Sequence, residues 1–443
     1  MILQVFDLNL NLITELSIYR SLQMTRSFGG IGRIELHSHP KAPNVSLISE
    51  NSIIMPVGKP EKAFLIEDID IDNEKFLARG CQLKGLAKRR LCVPPLNLPK
   101  KLWKYTQGAW VEISDKNLIK QYLSEDVMQG YEKPLQVTEG LLWLDMKDMA
   151  AVYNWDKKPQ YGEVWLDLER AQLRSKYKNF GYDRFTGSAE SAIKHFAKNN
   201  LITPEDSARE MPNMECEPDE NRGQVLPWQA RFDKLNDVLE NITNVTGIGW
   251  DIIPDIAKKK FIFRAMQGED LSDEIGRQKV TISVDMGNAK DVSLSKVSSR
   301  YGNVAYTGGE GEDEERLILA VADGEISKGF DRREIWAESG AKEDIKLVRM
   351  SGLKKLKEAS SKITLKADVL DGGPARYEKD WNLGDIVRVI FNEGGIKAEA
   401  SLRVNEVRET IEVDKPRKLQ VTFGDAPITI NSLVKSYSRE IVR

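Results

Sequence analysis

The feature that most constrains this chain is the short-range alternation of apolar and polar residues in its first and last thirds. The clearest stretch covers residues 63–71. One face would hold Ala63, Leu65, Ile69 and Ile71, and the other would hold Asp68, Asp70 and Asp72. Because successive side chains of a β-strand point to opposite faces, this spacing predicts a strand with one buried and one acidic face.

Similar stretches predict β-structure elsewhere in both thirds. Near the start, Ile2–Phe6 and Leu10–Leu16 flank a turn-like Asp7-Leu8-Asn9, which is typical of a hairpin. Near the end, strands are predicted over Ile386–Phe391, Ala400–Arg408 and Leu419–Phe423, with a turn at 392–395. A short basic helix is predicted over 83–91, and the proline pair that follows would stop it.

Helical spacing predicts an α+β middle. One helix face would hold Ala189, Ala192, Ile193, Phe196 and Ala197, and Ser188 is the predicted N-cap. Residues 233–246 repeat the pattern, and Gly247 suits the left-handed position that follows a helix. Trp250–Ile253 and Lys260–Ala265 then predict two paired strands, and a further helix is predicted over 344–360.

Residues 98–184 differ in composition from both flanks. They contain five of the nine tryptophans, together with many lysines and tyrosines. Large rings of this kind more often build the core of a small module than a binding face for sugars or partners. We therefore expect a separate inserted module of mixed secondary structure.

The charge balance argues against a general affinity for nucleic acid. The 443 residues include 65 Lys and Arg against 68 Asp and Glu, a net charge of -3. The cysteines Cys81, Cys92 and Cys216 lack CxxC spacing, which favours buried or idle thiols in a reducing cytosol. Asp7 interrupts the first apolar stretch, and no apolar run approaches the roughly 20 residues of a membrane span. Neither a signal peptide nor a membrane-spanning segment is expected.

Two groups of residues imitate metal ligands. Asp68-x-Asp70-x-Asp72 resembles the start of a calcium loop, but Asn73 and Arg79 occupy the positions that need glycine and glutamate. Glu35, His37 and His39 would share a strand face and could bind a metal. Pro40 ends that strand at once, and the only other histidine is His195. A solvated or interface strand is the favoured interpretation.

Other motifs also fall short of a functional signature. The glycine clusters at 29–32 and 308–311 lack the Lys-Ser/Thr of a phosphate loop, and neither fits GxGxxG. The acidic residues beside the second cluster are Glu310, Glu312, Asp313, Glu314 and Glu315, which indicate a solvated loop. The basic residues Lys84, Lys88, Arg89 and Arg90 favour a helix face or a subunit contact. We therefore expect no catalytic, cofactor-binding or metal-binding residues.

Twelve segments resemble one known family in their order along the chain. They are ILQVFDLNLNLI at 2–13, GRIELH at 32–37, NSIIM at 51–55, KAFLIE at 62–67, ARGCQLKGL at 78–86, RRLCVPP at 89–95, KHFAKNNLI at 194–202, GWD at 249–251, NVAY at 303–306, DRRE at 331–334, LGDIV at 383–387 and VTFG at 421–424. Together they resemble the siphophage tail-hub family of minor tail or baseplate-hub-like proteins. The resemblance extends over most of the chain outside the Trp-rich stretch, where a much shorter link would be expected.

The resemblance implies a β-rich α+β fold in which two tube-like β-barrel domains flank an α+β domain. The implied domains are an N-terminal tube-like barrel at 1–97, the inserted Trp-rich module at 98–184, the α+β domain at 185–285, a second tube-like barrel with one helix at 286–430, and a C-terminal tail at 431–443. Gly384 is expected to permit a close backbone approach where a strand of the second barrel begins.

The resemblance also implies a structural protein, not an enzyme, that acts in the virion tail after assembly in the bacterial host cytoplasm. The implied unit is a homotrimer with no cofactor, placed between the distal tail protein or tail tube above and tail-tip, fibre or receptor-binding proteins below. Its channel would hold the tape-measure protein and then pass DNA without specific binding.

One alternative from a different class stays open. It is a tail-associated cell-wall hydrolase, or a carbohydrate-binding adsorption protein, that uses the inserted module. The acids of such a hydrolase would come from Glu112, Asp115, Asp145, Asp148 or Glu163.

Overall fold

The computed structural model describes most of the chain outside the Trp-rich segment and the C-terminus. The described residues are 1–95, 102–106, 109–113, 115, 136–138, 141–144, 164–167, 182–272, 279–297, 301–309, 311, 316–339, 344–359, 362–370, 375–393 and 396–424. The chain divides into two compact units, a larger one of residues 1–92 and 184–443 and a smaller one of residues 93–183.

The first third contributes seven strands to the larger unit. They are β1 (Leu3–Phe6), β2 (Leu12–Leu16), β3 (Ser21–Ser27), β4 (Arg33–Ser38), β5 (Ile53–Pro56), β6 (Phe64–Ile71) and β7 (Phe76–Gln82). Short 3-10 helices lie at Val45–Leu47, Pro60–Lys62 and Leu83–Arg89. The predicted hairpin is confirmed, because β1 pairs antiparallel with β2. The basic helix is confirmed as the 3-10 helix that begins at Leu83.

Five strands are described in the smaller unit. They are β8 (Leu102–Thr106), β9 (Ala109–Ile113), β10 (Gln136–Thr138), β11 (Leu141–Leu144) and β12 (Val164–Asp167). β8 pairs antiparallel with β9, while β10, β11 and β12 form a second antiparallel sheet.

The middle of the chain, here called the α+β region, contains two helices and five strands. It contains β13 (Asp183–Gly187), α1 (Ala189–Ala197), β14 (Met214–Cys216), β15 (Leu226–Ala230), α2 (Leu235–Thr246), β16 (Gly249–Asp255) and β17 (Lys260–Met266). The Ser188 hydroxyl accepts the N–H of Ser191 at 3.1 Å, which confirms the predicted N-cap. Gly247 ends α2 with φ of 76°, the predicted left-handed position. β16 and β17 pair antiparallel, also as predicted.

The last third contributes nine strands and one helix. They are β18 (Thr281–Ser283), β19 (Ala289–Val297), β20 (Val304–Gly308), β21 (Ile318–Val321), β22 (Glu334–Glu338), α3 (Ile345–Glu358), β23 (Lys362–Val369), β24 (Ile386–Glu393), β25 (Ile396–Glu412) and β26 (Lys418–Gly424). The predicted helix and the last three strands are confirmed, with longer strands than expected. β20, β21 and β22 form a small separate sheet. The tail at 431–443 lies outside the described residues.

The first and last thirds share one sheet of thirteen strands. Its main path runs β19-β23-β26-β25-β3-β4-β7-β6-β5-β1-β2, and β24 and β18 branch from β25. The link between the thirds is β25, whose 17 residues pair with β24, β26 and β3. The β-rich character is thus confirmed. No sheet among the described strands closes into a barrel, so the two tube-like barrels stay a prediction.

The strand predicted over 63–71 exists, but its faces differ from the prediction. Leu65 joins a core shared with α1 and α2, whereas Phe64 and Ile66 join the core on the other side of the sheet. A bulge between Ile66 and Asp68 shifts the alternation, so Ile69 packs on the side of Phe64. Leu65 and Ile69 therefore do not share a face. The sheet is covered on both sides here, so the simple in–out pattern fails.

Three segments of the chain meet around the ring of Phe28. Gly249 of β16 and Gly384, just before β24, both lie so close that an added Cβ would overlap this ring. Gly384 also has φ of 97°, which L-residues rarely adopt. Arg403 of β25 places its guanidinium carbon 5.1 Å from the ring centre and donates to the Gly384 carbonyl at 2.8 Å. The predicted close approach at Gly384 is confirmed, and Phe28 of the first third is the residue approached.

We expect Gly384→Ala to lower the free energy of unfolding by about 1–3 kcal/mol more than Gly324→Ala, because only the former crowds a packed ring. Gly324 is a matched control, since its φ of 99° is nearly the same and nothing lies within 4 Å of an added Cβ. Denaturant titration of both variants measures the difference. Equal destabilisation would mean that backbone strain alone decides the effect.

Candidate functional site

A buried ionic cluster lies where β3 pairs with β25. Glu409 of β25 is 2% exposed and faces Met24 of β3 in the register of the two strands. The Lys62 ammonium, whose side chain is 5% exposed, lies 2.6 Å from the Glu409 carboxylate and also contacts that of Glu378. Arg417 contacts the other Glu409 oxygen at 3.0 Å. Lys62 belongs to the first third and its partners to the last, so these ion pairs cross the junction.

The ring of Tyr377 packs against the same cluster. Its ring lies 4.9 Å from that of Trp381, and the Lys62 ammonium lies 5.5 Å from its centre. Arg26 of β3 donates to the Tyr377 hydroxyl at 3.3 Å. Burial raises the pKa of this phenol, which therefore stays neutral and able to act as both donor and acceptor.

The Glu378 carboxyl links the cluster to the surface. Lys59, which is half exposed, contacts it at 3.0 Å from the outer side. Burial acts to raise the pKa of Glu378, but the bonds from Lys62 and Lys59 outweigh it and hold the pKa below its usual value. The carboxylate thus adds stability above its usual pKa of 4.5, and this stability is lost as the pH falls through the lowered value.

A second buried cation joins the first third to the α+β region. Lys84, fully buried, donates to three backbone carbonyls, those of Ser27 at 2.8 Å, Phe28 at 3.0 Å and Trp250 at 3.1 Å. Its ammonium lies 4.9 Å from the centre of the Trp250 ring. Burial lowers the pKa of Lys84 to about 8, although nearby Asp251 acts to raise it. Like the ionic cluster, this cation fastens two segments of the chain.

The other members of the predicted basic run also have internal roles. Arg90 donates to the carbonyl of Arg209 at 2.8 Å, and Arg89 donates to the Asn51 side chain at 2.6 Å. Lys88 forms an exposed pair with Glu67 at 3.4 Å. Lys88 and Arg89 belong to the predicted helix. The prediction of an outer helix face is wrong for Lys84, because its ammonium group points into the protein.

The candidate metal ligands have other contacts. His37 lies 3.8 Å from Glu35 on the exposed face of β4, and the His39 ring nitrogen accepts the N–H of Lys41 at 3.0 Å. Asp72 accepts the N–H groups of Glu74 and Lys75 and so closes the turn between β6 and β7. Within the described part of the chain, no three His, Cys, Asp or Glu residues are placed to hold a metal ion.

The acids of the hydrolase alternative are mostly outside the described residues. Asp145, Asp148 and Glu163 lie there, as do the five acids of the run at 310–315. Glu112 belongs to β9, whose side chains are not described, and Asp115 is exposed.

The predicted buried thiols are confirmed for Cys81 and Cys92, and burial raises the pKa of Cys81 to about 12.

A polar cleft of about 680 Å³ opens beside β17 and the start of β24. Its most buried acid is Asp385, whose pKa is raised by burial. The Asp385 carboxylate accepts the N–H groups of Glu269 at 2.9 Å and Asn382 at 2.7 Å. Asp385 therefore connects the two loops through hydrogen bonds. None of the described residues that line the cleft is a serine, cysteine or histidine, the usual side chains of a nucleophile and its base.

Sequence reasoning missed the ionic cluster, although one signal was present. Glu409 lies in phase with Val407, which is fully buried, so the alternation alone places a carboxylate among core positions. A charge in such a position requires a buried partner. Nothing in the sequence identifies Lys62 as that partner, because it lies more than three hundred residues away.

These features define a β-rich protein whose buried charges connect distant segments of its own chain. The chain matches the family model described as Siphovirus ReqiPepy6 Gp37-like protein over residues 2–182 and 169–425. The protein belongs to this family, and its predicted place in a siphophage tail protein family is confirmed. The first match runs through most of the Trp-rich segment, so the family model covers that segment as well.

Several solved structures are similar at low identity. The prophage tail protein gp18 from Listeria monocytogenes EGD-e is 10% identical, with 100% of each chain covered and a TM-score of 0.45. The tail protein from Neisseria meningitidis MC58 is 10% identical, with 96% of this chain and 97% of that chain covered and a TM-score of 0.45. No curated protein sequence matches this chain significantly. Across the described residues, no helix has the length and apolar character of a membrane span.

We expect Lys62→Met to destabilise the protein by about 3–5 kcal/mol, because it leaves the buried Glu409 and the half-buried Glu378 short of a cation. The matched control is Lys88→Met, which removes one partner of an exposed pair and should cost about 1 kcal/mol or less. Chemical denaturation of both variants gives the comparison. Similar losses in the two variants would contradict a decisive role for the buried cluster.

Lys84 should leave a signature in the pH dependence of stability. Its folded pKa of about 8 lies below its ordinary 10.5, so the unfolded chain binds more protons between these values. Stability attributable to Lys84 therefore rises with pH over that window. We expect the free energy of unfolding of the wild type, minus that of Lys84→Met, to increase from pH 8 to 10. A constant difference would mean that Lys84 keeps an ordinary pKa, and a difference that falls with pH would mean that its pKa is raised in the folded protein.

Proposed function

We propose that this protein is a structural hub of a siphophage tail, in which three copies form a ring between the tail tube and the tail tip. The observation that carries the proposal is the joining of the first and last thirds in one sheet within a siphophage family protein. A ring of three copies that each supply two tube-like domains would present six similar units to the tube. It would thereby adapt a sixfold tube to a threefold tip.

The two ends of the sheet are suited to contacts between copies. β2 lies at one end and β19 at the other, among the described strands. Leu12 and Ile13 of β2 are 53% and 39% exposed, which is unusual for an edge strand that stays in water. A closed ring would cover such edges by pairing each copy with its neighbour.

The proposed partners follow from this place in the tail. The distal tail protein or tail tube would bind above, and tail-tip, fibre or receptor-binding proteins would bind below. The tape-measure protein would occupy the channel before DNA passes through. The balanced charge of -3 suits such passage, because a strongly basic lumen would hold the phosphates and release them slowly.

We further propose that the protein acts without catalysis, as a component of the virion tail assembled in the host cytoplasm. The acids of the ionic cluster and of the cleft support this: Glu378 and Glu409 are paired with Lys62, and Asp385 is held by backbone N–H groups. These carboxylates serve the fold, which leaves them unsuited to transfer protons to a substrate.

We expect a reconstruction of the assembled tail to contain three copies of this chain around the tail axis, with a continuous channel between them. Counting copies in a cryo-EM map of the tail tip is the measurement. The isolated protein can remain monomeric at low concentration, because assembly depends on concentration and on the tube above. Six copies, or one copy outside the axis, would overturn the hub proposal.

A further inference from the structure

The small sheet of β20, β21 and β22 presents an aromatic face to solvent. Its other face packs against α3 through Ala305, Val321 and Leu356. On the outer face, Tyr306 of the central β20 lies directly beside Trp336 of β22 and Ala320 of β21. Trp336 is 45% exposed, although a tryptophan is usually well buried.

Gly308 allows the Trp336 indole to reach across the sheet. A Cβ at Gly308 would lie 2.7 Å from the indole ring of Trp336, so only glycine leaves room for the ring there. The indole N–H donates to the Glu338 carboxylate at 2.7 Å, which fixes the ring plane. Together Tyr306, Gly308 and Trp336 make an aromatic surface with a defined orientation, which we call the aromatic platform.

Two arginines, each paired with a glutamate, lie over the rings of the aromatic platform, Arg316 over Trp336 and Arg332 over Tyr306. Arg332 contacts Glu334 at 2.6 Å and donates to the Tyr306 hydroxyl at 2.9 Å. Arg316 contacts Glu338, and its guanidinium carbon lies 5.2 Å from the centre of the Trp336 ring. Each arginine is balanced by a glutamate, so the rim offers many hydrogen-bond donors and acceptors with little net charge.

This combination fits a neutral saccharide. The C–H bonds of a sugar can pack on the exposed part of the Trp336 ring, which is 45% accessible beside Arg316, and its hydroxyls can bond to the adjacent guanidinium and carboxylate groups. A nucleic acid or an anionic glycan fits poorly, because the glutamates balance both arginines and the acidic run 312–315 immediately precedes Arg316 in the sequence. We propose that the aromatic platform is a binding site for neutral oligosaccharides. This site is independent of the hub proposal and of the Trp-rich segment.

The anchored loop between β21 and β22 supplies a control. Asn303 donates to the Ser327 hydroxyl at 2.9 Å and to the Asp331 carbonyl at 2.6 Å, which holds the loop in place. Phe330 at its tip is fully exposed. A saccharide on the aromatic platform has no need of Phe330, whereas a protein partner that buries exposed apolar surface would use it.

The test is a glycan array of neutral and anionic oligosaccharides probed with the full-length protein, followed by calorimetric titration of the best neutral ligand. We expect binding of a neutral oligosaccharide that weakens at least tenfold in Trp336→Ala, stays within threefold in Trp336→Tyr and is unchanged in Phe330→Ala. Circular dichroism and thermal unfolding confirm that each variant is folded.

Three outcomes would overturn the proposal. One is a wild-type protein that binds no neutral glycan on the array, including one that binds only anionic glycans. Another is neutral-glycan binding that Trp336→Ala leaves intact, which would place the site away from the aromatic platform. The third is a loss of binding in Phe330→Ala as large as in Trp336→Ala. None of these outcomes would change the expected number of copies in the tail, so the hub proposal is tested separately.

Discussion

The pairing of β3 with β25 is the constraint on which the rest of the structure depends. It places Glu409 inside the protein, where a lone carboxylate would be very costly. Arg417, also of the last third, contacts that carboxylate, but Lys62 reaches it only when the first and last thirds are in the observed register. A slip of one residue would turn Glu409 to the opposite face and leave Lys62 without it. We infer that the ionic cluster selects one register among the many that apolar strands alone would allow.

Lys84 and Phe28 extend the same junction to the α+β region. Lys84 draws together carbonyl groups from the end of β3 and from β16, and Phe28 fills the space that Gly249 and Gly384 leave open. Three distant parts of the chain therefore meet within a few residues of one strand. A protein that assembles into a phage tail must keep its shape while it binds its neighbours, and a junction with directional bonds suits that demand better than apolar contacts alone.

The sheet of β20, β21 and β22 uses the same residue types in the opposite way. At the junction, arginine, glutamate and aromatic rings are buried and connect segments of one chain. On the small sheet, Arg316, Arg332 and Trp336 stay at the surface, where each contact orients a group that faces solvent. The difference lies in solvent exposure, since water screens the outer charges and leaves their hydrogen bonds open to exchange.

Local patterns in the sequence were enough for the individual elements. Ser188 and Gly247 mark helix ends because capping is a local hydrogen-bonding and backbone requirement, and the alternation over Ile386–Phe391 marks a strand because pleating is local too. The faces of β6 could not be read this way, because a bulge and a second core on the other side of the sheet are tertiary features. The partner of Glu409 and the ring that meets Gly384 depend on segments hundreds of residues apart. Only the folded chain brings these together, since no local rule records which distant strand completes a sheet.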